Sequence, residues 1–227
     1  MFMKNQEKIT ESDRMNNITE EYITQYIRSI LPESNEFFEK LVNFAHKNHV
    51  PIVEPEVAQL LKVLTKTIKP RRILEIGTAI GYSALIMASS AENSLITTIE
   101  RDETMIKLAN DNINNSIYSG RINLIFGDAI DVLPKLDESY DFIFLDAAKG
   151  QYLELFKHSS KLLSKGGIIV SDNVLFKGMV ASDQLIVRRK KTIVKRLRSY
   201  LEYINNLDGY TSSILPLGDG LALTYKE

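Results

Sequence analysis

The chain predicts an α/β fold: a mostly parallel sheet with helices on both faces. Three observations lead there. From Arg72 onward, short apolar runs alternate with amphipathic helical stretches, the pattern of parallel strands joined by crossover helices. Two runs, Phe142 to Leu145 and Gly167 to Val170, are unbroken in apolar character, as strands buried on both faces are. The last two runs flank Gly218-Asp219-Gly220, a hairpin signal that adds an antiparallel pair at the end of the sheet.

Taken in order, residues 1–16 are polar and expected to be disordered, which leaves a single domain over 17–227. Helical patterns at 18–31, 35–48 and 55–68 form an extra N-terminal layer. Pro55 sits at a helix start, where the missing N–H is not needed. Strand 72–76 leads into a helix from Gly81, strand 95–100 into a helix at 102–115, and strand 122–126 into a helix near 129–136. Strand 141–145, helix 151–163 and strand 167–171 follow. A loop at 174–186 precedes a long helix to about Leu207, and runs at 210–217 and 221–226 complete seven strands.

At 227 residues the chain can bury a real core. A net charge of −1 removes any bulk attraction to nucleic acid or membrane and leaves only local patches. With no cysteine, disulfides, thiolate metal sites and cysteine nucleophiles are excluded together. No apolar stretch approaches a membrane span, and the opening residues lack the apolar core of a signal peptide. A cytoplasmic protein without a membrane partner is expected.

The apolar runs end in hard oxygen donors: Asp146 after the first, Asp172 and Asn173 after the second. Ligands collect outside the carboxyl ends of parallel strands, and two carboxylates with an amide carbonyl suit a hard divalent cation. The same residue types also cap helices and turns. The loop after the first strand, Glu75 to Ser83, carries Gly77 and Gly81 but lacks the middle glycine of a dinucleotide fingerprint. Glu75 would repel a pyrophosphate, whereas S-adenosylmethionine, with its ammonium and sulfonium, suits it; the carboxylate of that molecule can meet the helix start and the Ser83 hydroxyl. Glu100 ends the second strand where an acid binds ribose hydroxyls, and Asp128, followed by Ala129, is placed for an adenine amino group. Taken singly, Glu100 also reads as a surface acid and Asp128 as an N-cap.

The strings LEIGTAIGYS, TIERD, FGDA, FIFLDAAKGQY and SDNVLFKGMV resemble the cation-dependent class I O-methyltransferases, the catechol and caffeoyl-CoA group, over nearly all of 18–227. Within that group, HVPIVE, DNVLFKGMV and PLGDGLA are most similar to the bacterial tRNA 5-hydroxyuridine methyltransferases, which make 5-methoxyuridine at the wobble position. The resemblance implies a Rossmann-like methyltransferase fold, magnesium on Asp146, Asp172 and Asn173, and the methyl donor against Val53, Gly77, Ser83, Glu100, Asp128 and Asp146. It also implies a homodimer and a tRNA anticodon region as substrate. The expected chemistry is methyl transfer to a hydroxyl that a metal helps to ionise, with Lys149 accepting the proton or holding the anion; an exposed lysine at a helix start is the plainer alternative.

The run Arg188-Arg189-Lys190-Lys191 is the strongest local charge feature and suits RNA phosphates, although a solvated helix face carries such runs too. Tyr82, Tyr152 and Phe176 are candidates to stack on an acceptor base, and residues 174–180 to cover the acceptor ring. Three functions follow: a tRNA O-methyltransferase, an O-methyltransferase of small catechols or phenols, and a cofactor-binding protein without catalysis.

Overall fold

The computed structural model describes residues 18–227; the expectation for residues 1–16 lies outside them. Three helices come first: α1 (Glu21–Ser29), α2 (Glu36–Lys47) and α3 (Pro55–Ile68). Asn35 caps α2 by accepting the Phe38 N–H (3.1 Å), and Pro55 opens α3. One face of α2 and α3, with Phe38, Leu41, Ala45, Val57 and Leu61, packs into the core. By contrast α1 buries no residue. Arg28 ties it down through Glu54 (2.7 Å) and the buried Glu56 (2.8 Å).

The αβ alternation then runs β1 (Arg72–Ile76), α4 (Tyr82–Ser90), β2 (Leu95–Glu100), α5 (Glu103–Asn114), β3 (Ile122–Phe126), α6 (Ala129–Val132), β4 (Tyr140–Leu145), α7 (Tyr152–Leu162) and β5 (Leu163–Ser171). Helix α8 (Lys191–Asn205) and strands β6 (Tyr210–Leu215) and β7 (Leu221–Lys226) end the chain. The seven strands are ordered β3-β2-β1-β4-β5-β7-β6. All pairings are parallel except those of β7, which is antiparallel to both neighbours. Strand order reverses between β1 and β4, the place where open α/β sheets form their binding crevice. Successive residues face opposite sides: Ile73, Phe142 and Phe144 pack with α2–α4, while Leu74, Ile143 and Leu145 pack with α7 and α8.

Three boundaries differ from expectation for local reasons. The helix near 129–136 shrinks to α6 and a 3-10 turn at Leu133–Lys135, because Pro134 cannot donate a helical hydrogen bond. β5 starts at Leu163, earlier than its apolar run, pairing Leu163 with Tyr140 across a register shift. Helix α8 starts at Lys191, with Arg188–Lys190 in a separate 3-10 turn and no side-chain N-cap; a cluster of cations opposes the positive end of a helix. Among the described residues no helix is long and apolar enough to cross a membrane.

Candidate active site

The carboxyl ends of the strands are locked side by side by backbone hydrogen bonds that continue one residue past each strand. Gly77 N–H donates to Ile99 O (3.0 Å), Gly127 N–H to Glu100 O, Asp146 N–H to Ile76 O and Asp172 N–H to Leu145 O (each 2.9 Å). The ladder brings the four loops together. Gly77 has φ +100°, and a Cβ there would lie 1.9 Å from the Asp146 carbonyl oxygen, so only glycine fits.

Above this floor lies one cavity of about 970 Å³, at the upper end of the range for ligand sites. Val53, Gly77, Glu100, Asp128, Ala129, Asp146, Lys149, Asp172 and Asn173 all line it. The expected methyl-donor and metal residues therefore converge, with two exceptions. Glu75 and Ser83 are buried beneath the wall rather than on it.

One half of the cavity is acidic. Burial pushes the Asp172 carboxyl well up, and repulsion from Asp146 adds to it. Asp146 is also raised, first by burial, with Lys149 pulling it down and Glu100 pushing it up. Lys149 Nζ donates to Asn173 Oδ1 (2.7 Å), so the amide oxygen already accepts from a cation. Asp172 Oδ1 accepts the Asn173 N–H (2.6 Å), while the Tyr152 hydroxyl donates to the Asp172 carbonyl (2.7 Å). Among the described residues no group of three His, Cys, Asp or Glu side chains is spaced to hold a metal; here the set is two carboxylates and an amide. Two crowded carboxylates with an oxygen-only third donor fit magnesium in kind.

The other half is shaped by backbone. Glu100 Oε2 accepts the Ala79 N–H, and Oε1 accepts those of Arg101 and Asp102 (all 2.8 Å). Asp128 serves as the N-cap of α6 through Ile130 N–H (3.0 Å) and pairs with Arg101 (3.2 Å), while still facing the cavity. Cap and wall are thus both true of Asp128. Beneath them Thr98 donates to Glu75 Oε2, whereas Oε1 has no partner of good hydrogen-bond geometry. Burial pushes the Glu75 carboxyl up to about 8, against the nearby Ser83 and Thr98 hydroxyls.

The stacking candidates fare worse. Tyr82 is buried against Phe38 and Tyr152 against Tyr200, their rings 6.1 and 5.6 Å apart. From the 174–180 loop only Lys177 reaches the cavity, since Val174, Met179 and Val180 sit in the core. Arg188 to Lys191 lie outside the cavity, but close to its rim. Lys190 rests over the Phe176 ring (5.6 Å), and Arg196 on α8 donates to the Gly150 carbonyl (3.2 Å), next to Lys149. The sequence reading missed Arg28, Glu54 and Asp219, which also line the cavity. For Asp219 the signal was the Gly-Asp-Gly tip, read only as a turn.

Comparison with known proteins places this geometry. The family model described as O-methyltransferase matches residues 28–227. A catechol O-methyltransferase of Niastella koreensis is 32% identical over 176 residues, covering 74% of this chain and 80% of that protein. A Staphylococcus aureus structure, provisionally assigned as a caffeoyl-CoA O-methyltransferase, superposes with a TM-score of 0.86 at 36% identity, over 91% of this chain and all (100%) of the other. An O-methyltransferase from Bacillus cereus in complex with SAH gives 0.80 at 27% identity, over 91% and 97% of the two chains.

Proposed function

The chain belongs to the O-methyltransferase family, and from that premise we propose that it is an S-adenosylmethionine- and Mg2+-dependent enzyme methylating 5-hydroxyuridine at the tRNA wobble position. The observation that carries the reading is the single cavity whose two halves meet at Asp146, one backbone-walled and one acidic. The donor belongs in the first half, against Gly77, Glu100, Asp128 and Ala129, and the relative in complex with SAH supports a donor of this kind. Asp146, Asp172 and Asn173 hold the cation, which when bound supplies a Lewis acid for a hydroxyl group. Lys149, hydrogen-bonded to Asn173 Oδ1, is the group at hand to receive the hydroxyl proton. Val53, Ile76 and Ile99 give the wall an apolar lining that keeps water from the reacting oxygen.

A tRNA acceptor is supported by the exposed cations beside the rim. Arg188 and Arg189, in the turn that Lys190 and Phe176 pin to the 174–180 loop, and Lys191 at the start of α8 are exposed, where they can meet phosphates flanking a base held in the cavity. A cytoplasmic homodimer completes the proposal, with the exposed Tyr22 and Tyr26 of α1, and Ile30 just after it, available for self-association. The second reading, a small catechol or phenol acceptor, is favoured by the Niastella relative.

The deciding experiment offers the protein, with Mg2+ and labelled donor, tRNA containing 5-hydroxyuridine and free catechol in parallel, read by mass spectrometry. Preferential formation of 5-methoxyuridine is expected. Efficient methylation of catechol with none on tRNA would move the assignment to the second reading.

A further inference from the structure

Among the described residues, six non-glycine residues have a left-handed backbone: His49, Lys69, Ala79, Asn173, Phe176 and Lys177. The first two end helices α2 and α3, where such a conformation is ordinary. The other four lie in the two loops that border the cavity, and three fall within residues 173–177. Each costs about 1 kcal/mol or more and persists only where its surroundings impose it.

The imposing surroundings are the turn between β6 and β7. Val174 N–H donates to Gly220 O (2.9 Å) and Leu175 N–H to Asp219 O (3.0 Å). The Asp219 carboxylate accepts the Lys177 N–H. The turn packs closely on both sides: a Cβ on Gly218 would come within 2.8 Å of Val57, and one on Gly220 within 2.4 Å of Leu175. It is wedged between α3 and the strained segment. Asn173 begins that segment and Lys177 ends it, and both line the cavity.

We infer that the 216–220 turn is a brace for the acidic half of the site, and that Asp219 is its positioning residue, holding the 173–177 segment so that the Asn173 amide faces the cation position. This rests on reading Asn173 as a cation ligand. Asp219 does its work as a hydrogen-bond acceptor; its charge is secondary. Asp219→Asn keeps an acceptor oxygen for the Lys177 N–H, whereas Asp219→Ala removes it and releases the segment.

The test is calorimetric titration of each protein with Mg2+ alone and with S-adenosylmethionine alone, together with hydrogen exchange at the Lys177 amide. Asp219→Ala should weaken Mg2+ binding by about tenfold or more, as loss of a supporting partner does, speed exchange at Lys177 and leave donor affinity unchanged. Asp219→Asn should match the unmodified protein in all three. Unaltered Mg2+ affinity in Asp219→Ala, or an equal loss in Asp219→Asn, would overturn the brace. If the unmodified protein bound no divalent cation while still binding the donor, the ligand reading of Asn173 would fall first and the brace with it.

Discussion

The two halves of the cavity are built differently. The half proposed for the donor comes from residues that end successive strands, β1, β2 and β3, and its walls are largely backbone: Gly77, Ala79, and the amides gathered by Glu100. The acidic half is assembled from distant pieces, Asp146 and Lys149 after β4, Asp172 and Asn173 after β5, Asp219 from the hairpin turn and Arg28 from α1. A backbone-walled site depends on close approach. An assembled site depends on each distant piece being held in place.

The harshest break falls where the halves join. Gly77→Ala forces a methyl into the Asp146 carbonyl and requires an alanine at φ +100°. Destabilisation of about 3 kcal/mol or more is expected, roughly 10 °C in melting temperature, with both functions lost together. A variant that melts like the unmodified protein would show the junction to be looser than drawn.

Next comes a separation of the halves. Asp172→Ala should abolish Mg2+-dependent turnover, by roughly 100-fold or more, while titration with S-adenosylmethionine alone shows an affinity near that of the unmodified protein. Equal loss of donor binding would mean that the halves are not separable.

The buried acid under the donor half gives a pH signature. Folding raises the Glu75 carboxyl from 4.5 to about 8, so the folded state holds a proton that the unfolded chain gives up. Its contribution is fully present below pH 4.5 and is lost as the pH rises through 8. Glu75→Gln has no such loss. Its stability relative to the unmodified protein should therefore improve between pH 5 and 8 by at most roughly 1.4 kcal/mol per pH unit, measured by urea unfolding. A constant offset across that window would place an ionised Glu75 in the fold.

The mildest effect is expected at the rim of the acidic half. Reversing charge at Arg188, Arg189 and Lys190 should raise the KM for tRNA about tenfold and flatten its salt dependence, leaving methylation of a free catechol as before. Equal loss on both substrates would remove RNA from the rim.

The contrast between the halves also explains what was legible. Strand ends are visible in sequence because apolar runs stop at a polar residue, and so Gly77, Glu100, Asp128, Asp146, Asp172 and Asn173, which line one cavity, stand out as candidates in the sequence. The parallel strands and the antiparallel pair at the end of the sheet follow from the same alternation and the Gly-Asp-Gly tip, whereas the order of the strands was read only from their pairing. Asp219 was hidden because a turn residue that merely closes a hairpin looks the same as one that reaches across to Lys177. Arg28 was hidden because its partners Glu54 and Glu56 are 26 and 28 residues away, across two helices. Tyr82 and Tyr152 misled for a related reason: an aromatic near a motif says nothing of which way its ring turns, and both rings turn inward.

The central claim is that hydroxyl methylation needs the acidic half to hold a divalent cation. Its most direct test is transfer of labelled methyl from S-adenosylmethionine to a hydroxylated acceptor, 5-hydroxyuridine in tRNA first, with Mg2+ and then with excess chelator. Transfer should occur with Mg2+, stop with chelator and return when Mg2+ is restored. Undiminished transfer in chelator would contradict the claim, whatever the acceptor proved to be.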